Sequence, residues 1–254
     1  MPDLRGYLAL AMRGMPPEIA LEPAERVRHR RLAAYVDQLV LRDVPGLGER
    51  RDPRLLRRYL QAVAVNTAGV PEHKILFDAV DVDRRTAHAY DTVLEGLYLT
   101  ERVPAWASNR LTRLTRTPKR YLTDPALLAP LAGVDSRAAL RDADLLGRII
   151  DTFVAAQLRP ELEVCTPGVT LHHLRQADGR LEVDLLMETA AGRIVAVEVK
   201  AAAAVDSHDA RHLLTLRDRL GDNFACGVVF HTGVRSFRLA ERVVALPIAA
   251  IWGP

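Results

Sequence analysis

No run of about 18 apolar residues occurs in the 254-residue chain, so no segment is expected to cross a bilayer as a helix. The opening residues, Met1-Pro2-Asp3-Leu4-Arg5, lack the charged-then-apolar order of a secretory signal. Only two cysteines are present, Cys165 and Cys226, far apart and in no ligand-spaced pair. They read as reduced residues of an intracellular protein, and the expected compartment is the cytoplasm. No G-x-x-x-x-G-K-[ST] run occurs, so the phosphate-cradling loop of a nucleotide site is lacking. Internal repeats are absent, and the one low-complexity stretch is the four alanines at 201–204. The net charge of +3 is too small to indicate nucleic-acid binding by itself.

What is present is enough apolar residue for a real core. Hydrophobic residues make up 49% and charged residues 26% of the chain, the balance of a globular protein with one large or two ordinary domains. The pattern changes near residues 135–144. Upstream, apolar residues recur at helical spacing; downstream, β-branched runs alternate with glycine turns.

Over 25–43, Val27, Leu32, Ala34, Val36, Leu39 and Val40 recur roughly every 3.6 residues and predict a helix. A second helix is expected over 53–68, with Pro53 near its start, where the missing N–H is harmless, and Leu55, Leu56, Tyr59, Leu60 and Val63 as its stripe. The segments 72–80 and 83–97 are separated only by Asp81 and Val82, the spacing of a helix-turn-helix. Asp83 is a good N-cap for the second, whose buried stripe is expected at Tyr90, Val93, Leu94 and Leu97. Arg84, Arg85 and His88 then occupy the end where a recognition helix presents its reading residues. Residues 99–106 and 120–122 suit the strands of a wing. Such a three-helix unit is also a common packing module, and both readings stay open.

Between Arg102 and Arg120 there is no acid, while Arg110, Arg113, Arg116, Lys119 and Arg120 are all basic. Two readings fit: a solvated surface segment, or a stripe that contacts phosphates and releases their counterions.

The C-terminal part carries the sharper pattern. An amphipathic helix over 145–158 directs Leu146, Ile149, Ile150, Phe153, Val154 and Leu158 inward and includes Asp151. Residues 169–175 read as a strand, and Ala177-Asp178-Gly179 as a tight hairpin turn. A second strand over 180–188 puts Leu181, Val183, Leu185 and Met187 on one face and Glu182 and Asp184 on the other. A third, over 193–200, puts Val195, Val197 and Val199 on one face and Glu198 and Lys200 on the other. A helix over 208–220 ends at Gly221, and 225–231 is a last, nearly all-apolar strand. The expected order is helix, three strands, helix, strand.

Two carboxylates and an ammonium at neighbouring strand positions make a recognisable chemistry. Close carboxylates repel, and a hard cation such as Mg²⁺ relieves that repulsion while gaining oxygen ligands. Asp184 and Glu198 are the candidate metal ligands, the Val199 carbonyl a third donor, and Lys200 the group that orients a water or stabilises phosphoryl charge. Singly, each residue also suits an ordinary exposed strand face; the cluster reading rests on their joint placement. His172 and His173, with no His-x-x-His spacing, read as strand residues near the site. His208, Asp209, Arg211 and His212 open the following helix, with Asp209 expected to cap it and a phosphate contact as the other reading.

GRIIDTFVA at 147–155, GRLEVDLL at 179–186 and VAVEVK at 195–200 closely resemble the DUF4143 domain, which is similar to the PD-(D/E)XK nuclease superfamily. Upstream, YVDQLVLRDV at 35–44 resembles the linker helix of that family, TAHAYDTVLEGL at 86–97 its winged-helix segment, and PKRYLTD at 118–124 the entry into the nuclease-like domain. Arg13 and residues 14–18 resemble the junction that follows an ATPase core. The resemblance extends over nearly the whole chain. It implies an α/β (α+β) fold: an N-terminal helical, winged-helix-like region followed by a PD-(D/E)XK nuclease-like αβββαβ domain. The implied division is a linker over 1–50, a winged-helix-like DNA-binding domain over 51–134 and the nuclease-like domain over 135–254. Asp151 stands where the resemblance leads one to expect Glu, and its shorter reach makes it an outer-shell helper. The implied partners are DNA and an AAA-type ATPase domain ahead of this region; a homo-oligomer stays open.

Three functions follow as expectations. The first is a Mg²⁺-dependent DNA nuclease, with Mn²⁺ as a substitute. The second is a non-catalytic DNA-binding and regulatory module of an ATPase, using Arg84, Arg85, His88, Arg110, Arg113, Arg116 and Lys119. The third is a protein-interaction scaffold that has kept the acidic cluster without its chemistry.

Overall fold

Local sequence signals set most helix boundaries in the first half of the chain. The computed structural model describes residues 1–43, 52–165, 168–176 and 180–253. Helices α1 (Leu4–Ala11) and α2 (Pro17–Ala20) precede α3 (Glu25–Asp37), which widens into a π-helical turn over Gln38–Asp43. Helix α4 (Pro53–Val65) starts where Asp52 accepts the Arg54 N–H at 2.8 Å, and it buries Leu56, Tyr59, Leu60 and Val63. Helix α5 (His73–Val80) stops at Asp81, which takes a left-handed φ of 58°. Helix α6 (Arg84–Gly96) begins with Asp83 accepting the Thr86 N–H at 2.9 Å. Strand β1 (Thr100–Val103) pairs with β2 (Lys119–Leu122), with α7 (Arg110–Thr115) between them in the chain. The expected succession of three helices and two short paired strands is therefore present.

Then follow α8 (Leu128–Ala132), α9 (Ser136–Ala139) and the long α10 (Ala143–Glu163). After it come β3 (Val169–Arg175), β4 (Glu182–Thr189), β5 (Ile194–Lys200), α11 (Arg211–Leu220), β6 (Phe224–His231), β7 (Phe237–Ala240) and β8 (Val243–Pro247). The hairpin turn expected at 177–179 lies outside the described residues.

The chain forms two compact units. The helical unit comprises Leu8–Arg102 and Lys119–Thr152, and the sheet unit Met1–Tyr7, Val103–Pro118 and Phe153–Pro254. Within the helical unit, Arg120 is 2% exposed and grips Asp91 of α6 with both terminal nitrogens, at 2.5 and 2.7 Å. The Tyr59 hydroxyl donates to the same carboxylate at 2.8 Å. A buried acid on α6 was not expected from its apolar stripe; the buried face is Ala87, Tyr90, Asp91 and Leu94.

The sheet unit holds six strands in the order β3-β4-β5-β6-β8-β7. β3–β4 and β4–β5 pair antiparallel, β5, β6 and β8 are parallel, and β7 returns antiparallel along β8. Helix α11 supplies the crossover that the parallel pair β5–β6 needs. Its Leu213 and Leu216 pack into the core with Leu186, Ala196 and Val229. The mixed α/β class and the α10-β3-β4-β5-α11-β6 order match expectation. The sheet continues past β6, the last strand the sequence predicts, into β7 and β8, whose four and five residues are too short to show a pattern. Among the described residues no helix is long and apolar enough to cross a membrane.

Candidate active site

The β4–β5 ladder runs from Glu188 opposite Ile194 to Leu185 opposite Val197. One residue further, that register sets Asp184 across from Glu198. There the Val199 N–H donates to Asp184 Oδ2 at 3.0 Å. Opposed residues of an antiparallel pair share a face, so both carboxylates lie on one side of the sheet. Lys200, two residues beyond Glu198, shares that side, and its ammonium donates to Glu198 Oε1 at 2.8 Å. The three expected residues are thus brought together.

Burial by itself would lower the Lys200 pKa. The charge and hydrogen bond of Glu198, with the charges of Asp184 and Asp209, outweigh it and raise the value above that of an ordinary lysine. Lys200 is therefore a fixed cation at neutral pH. Glu198 is 9% exposed, so its charge sits where screening by water is weak.

Helix α11 steadies this end of β4. His212 Nδ1 lies 2.7 Å from the Glu182 carbonyl; the carbonyl only accepts, so the ring donates. Asp209 was expected to cap this helix. It accepts the Asp206 N–H at 3.0 Å, while Asp206 accepts the His208 N–H at 2.8 Å. These local turns keep 206–209 out of the helix, which begins at Arg211 with no side-chain cap.

The other candidates have different surroundings. In the helical unit, Asp151 is 7% exposed and accepts from Lys119 Nζ at 2.6 Å and from the Tyr121 hydroxyl at 3.0 Å. These bonds account for a buried acid at that point of α10 without a metal. Lys119, expected to meet phosphate, is corrected by the same pair: it is 3% exposed and already neutralised. On β3, the His173 ring bonds the Thr117 carbonyl at 3.1 Å, and His172 Nε2 lies 3.5 Å from Glu188 Oε2.

Arg84 and Arg85 are exposed at the start of α6. Arg84 Nε approaches His88 Nε2 at 3.4 Å, and the His88 ring meets Phe77 edge-on. Arg113 binds both oxygens of Glu188 and stacks over Trp106 at 5.4 Å. Arg116 donates to the Arg175 carbonyl at 3.3 Å. The Arg110 side chain lies outside the described residues. Of the basic stretch, Arg113, Lys119 and Arg120 therefore have acid partners of their own.

Among the described residues no group of three or more His, Cys, Asp or Glu side chains could hold a metal ion. A closed zinc-type site would need four protein ligands. Mg²⁺ commonly takes only one or two carboxylates from the protein and completes its shell with water and phosphate oxygens. The donor set of Asp184 and Glu198 fits that second pattern.

Comparison with known proteins divides the chain in two. Residues 4–138 match the family described as Domain of unknown function (DUF8612). Residues 146–251 match Domain of unknown function (DUF4143). The resemblance to DUF4143 was expected to extend over nearly the whole chain; its match covers only the C-terminal part, and the preceding residues match the other family. The curated relatives include the uncharacterized protein Mb2031c of Mycobacterium bovis and the uncharacterized protein Rv2008c of Mycobacterium tuberculosis. Each is 28% identical over 235 residues, which are 92% of this chain and 51% of the relative. The chain thus spans about half the length of the curated relatives it matches. No solved structure matches it. The chain belongs to the DUF8612 family over its N-terminal half and carries a DUF4143 domain over residues 146–251.

Proposed function

We propose that the C-terminal region is a Mg²⁺-dependent DNA nuclease that hydrolyses phosphodiester bonds. The observation that carries this reading is the register of β4 and β5, whose continuation by one residue puts Asp184 opposite Glu198, with Lys200 bonded to Glu198. Asp184 and Glu198 would hold the ion, with the Val199 carbonyl as a further oxygen donor. Bound there, Mg²⁺ would supply Lewis-acid stabilisation of phosphoryl charge and a more acidic water. Lys200, held cationic, places a positive charge beside the reacting phosphate. The Asp184–Val199 bond fixes the relation between the two acid-bearing strands.

In this reading residues 1–50 are a linker, 51–134 a winged-helix-like DNA-binding domain and 135–254 the nuclease-like domain, working with a preceding AAA-type ATPase domain. Support for DNA contact is the exposure of Arg84 and Arg85 at the start of α6, followed in the chain by the β1–β2 sheet. The same observation favours the second reading, a non-catalytic DNA-binding module of an ATPase.

The test is cleavage of supercoiled plasmid with Mg²⁺ by wild type, Asp184→Ala and Lys200→Ala. Cleavage by wild type alone supports a nuclease. Equal cleavage by all three indicates a contaminating enzyme. Salt-dependent binding without cleavage favours the regulatory module.

A further inference from the structure

His231 ends β6, and the parallel register pairs it with Lys200, as it pairs Val229 with Glu198. Paired positions of neighbouring strands carry their side chains on one face, so His231 stands beside Lys200 on the face that bears the acids. The residue is 1% exposed. Its Nδ1 accepts the Gly233 N–H at 3.0 Å, which leaves the neutral ring with its proton on Nε2. That Nε2 is buried, and among the described residues no partner lies within hydrogen-bond distance of it.

A buried donor without an acceptor is costly and calls for a reason. Burial pushes the ring's pKa below that of an ordinary histidine, while a backbone hydrogen bond with Arg235 works against it. The turn beyond it is built to hold this arrangement. The Thr232 N–H donates to the Ala202 carbonyl at 2.9 Å, two residues past Lys200. A Cβ on Gly233 would lie 2.2 Å from the Ala203 carbonyl and 2.9 Å from His231 Nδ1. Only glycine fits there, and it ties the segment after Lys200 to the atom that sets the tautomer of His231.

We propose that His231 is a further binding residue of the candidate site, its Nε2–H donating to a phosphoryl oxygen held beside Lys200. The inference rests on the nuclease reading of that site and adds to it a neutral donor next to the lysine cation. The occupant is a phosphoryl oxygen, carried by a phosphodiester or by free phosphate.

The test uses the full chain and nitrogen-resolved NMR of its histidine side chains, with Mg²⁺ binding followed separately by calorimetry. In wild type the expected tautomer is Nε2–H. A short DNA duplex with Mg²⁺ should shift the Nε2 resonance of His231. His231→Phe should leave Mg²⁺ affinity unchanged and weaken duplex binding by roughly tenfold, the worth of one hydrogen bond to a charged group. His231→Gln, which keeps a donor, should restore most of it. Inorganic phosphate is the second arm: a shift with phosphate but not with duplex would assign the donor to free phosphate and overturn its role in a nuclease site.

A proton on Nδ1, seen in wild type without any variant, overturns the inference. So does a His231 resonance that ignores both ligands while Mg²⁺ binds, or duplex binding by folded His231→Phe equal to wild type; in these cases the metal site stands and only His231 is removed. Absence of Mg²⁺ binding in wild type, with duplex present as well as without it, removes the nuclease reading and this inference together.

Discussion

The Val199 amide donates to Asp184 Oδ2 at 3.0 Å, so the residue between Glu198 and Lys200 is tied to the acid on the neighbouring strand. One oxygen of Asp184 thus does structural work at the end of the β4–β5 ladder. Asp184→Asn keeps an oxygen that can accept this bond, and Asp184→Ala does not. The alanine variant should be less stable than the asparagine variant by about 1 kcal/mol in urea denaturation. Equal stability of the two would remove the bond from the account.

Asp91 presents a larger effect. Its carboxylate, 2% exposed, receives Arg120 and Tyr59. Asp91→Ala would leave the Arg120 guanidinium buried with its main partner gone, and should cost about 3–5 kcal/mol. Replacing both, as Asp91→Leu with Arg120→Met, should recover much of that loss. Chemical denaturation of the two variants decides it. A loss under about 1 kcal/mol for Asp91→Ala would mean that water reaches the pair.

The cations of the helical unit should separate by role. Arg84→Ala and Arg85→Ala, at exposed positions, should each lower the slope of log K against log salt for DNA by about one and leave the fold intact. Lys119→Ala should leave that slope unchanged and lower stability instead, because its ammonium is spent on Asp151. A Lys119→Ala variant with normal stability and a reduced slope would reverse the assignment.

The Arg113–Glu188 pair gives a pH signature. The hydrogen bond from Arg113 holds the Glu188 carboxyl below the ordinary glutamate value, with burial opposing. A folded pKa below the unfolded one means that the unfolded chain takes up the proton first as acid is added. The stabilisation is fully present above about pH 4.3 and is lost as pH falls through the lower folded value. Glu188 is 22% exposed, so solvent screening keeps the effect to about 1 kcal/mol or less. The stability gap between wild type and Glu188→Gln should narrow as pH falls across that window. A gap independent of pH would contradict the pairing.

Much of this was legible because it is local. Asp83 caps α6 as its place before an apolar period indicates, and the two-residue alternation in β4 and β5 set Asp184, Glu198 and Lys200 on their shared face. What was not legible depends on residues distant in the chain. Lys119 and Arg120 sit in an acid-free stretch, and nothing nearby shows that Asp151 and Asp91, about thirty positions away, would bury them. The start of α11 was misplaced because Asp206 and Asp209 bond neighbouring amides, offering the backbone an alternative to the helix. The pairing of His231 with Lys200 needed the parallel register across the α11 crossover, which no spacing in the sequence encodes.

Calorimetric titration of Mg²⁺ and Mn²⁺ into wild type and into the Asp184→Ala/Glu198→Ala double variant tests the central claim most directly. The account predicts saturable binding in wild type that is lost in the variant. Binding of equal strength in both proteins, or none in wild type even with DNA present, would contradict a metal site on these two strands.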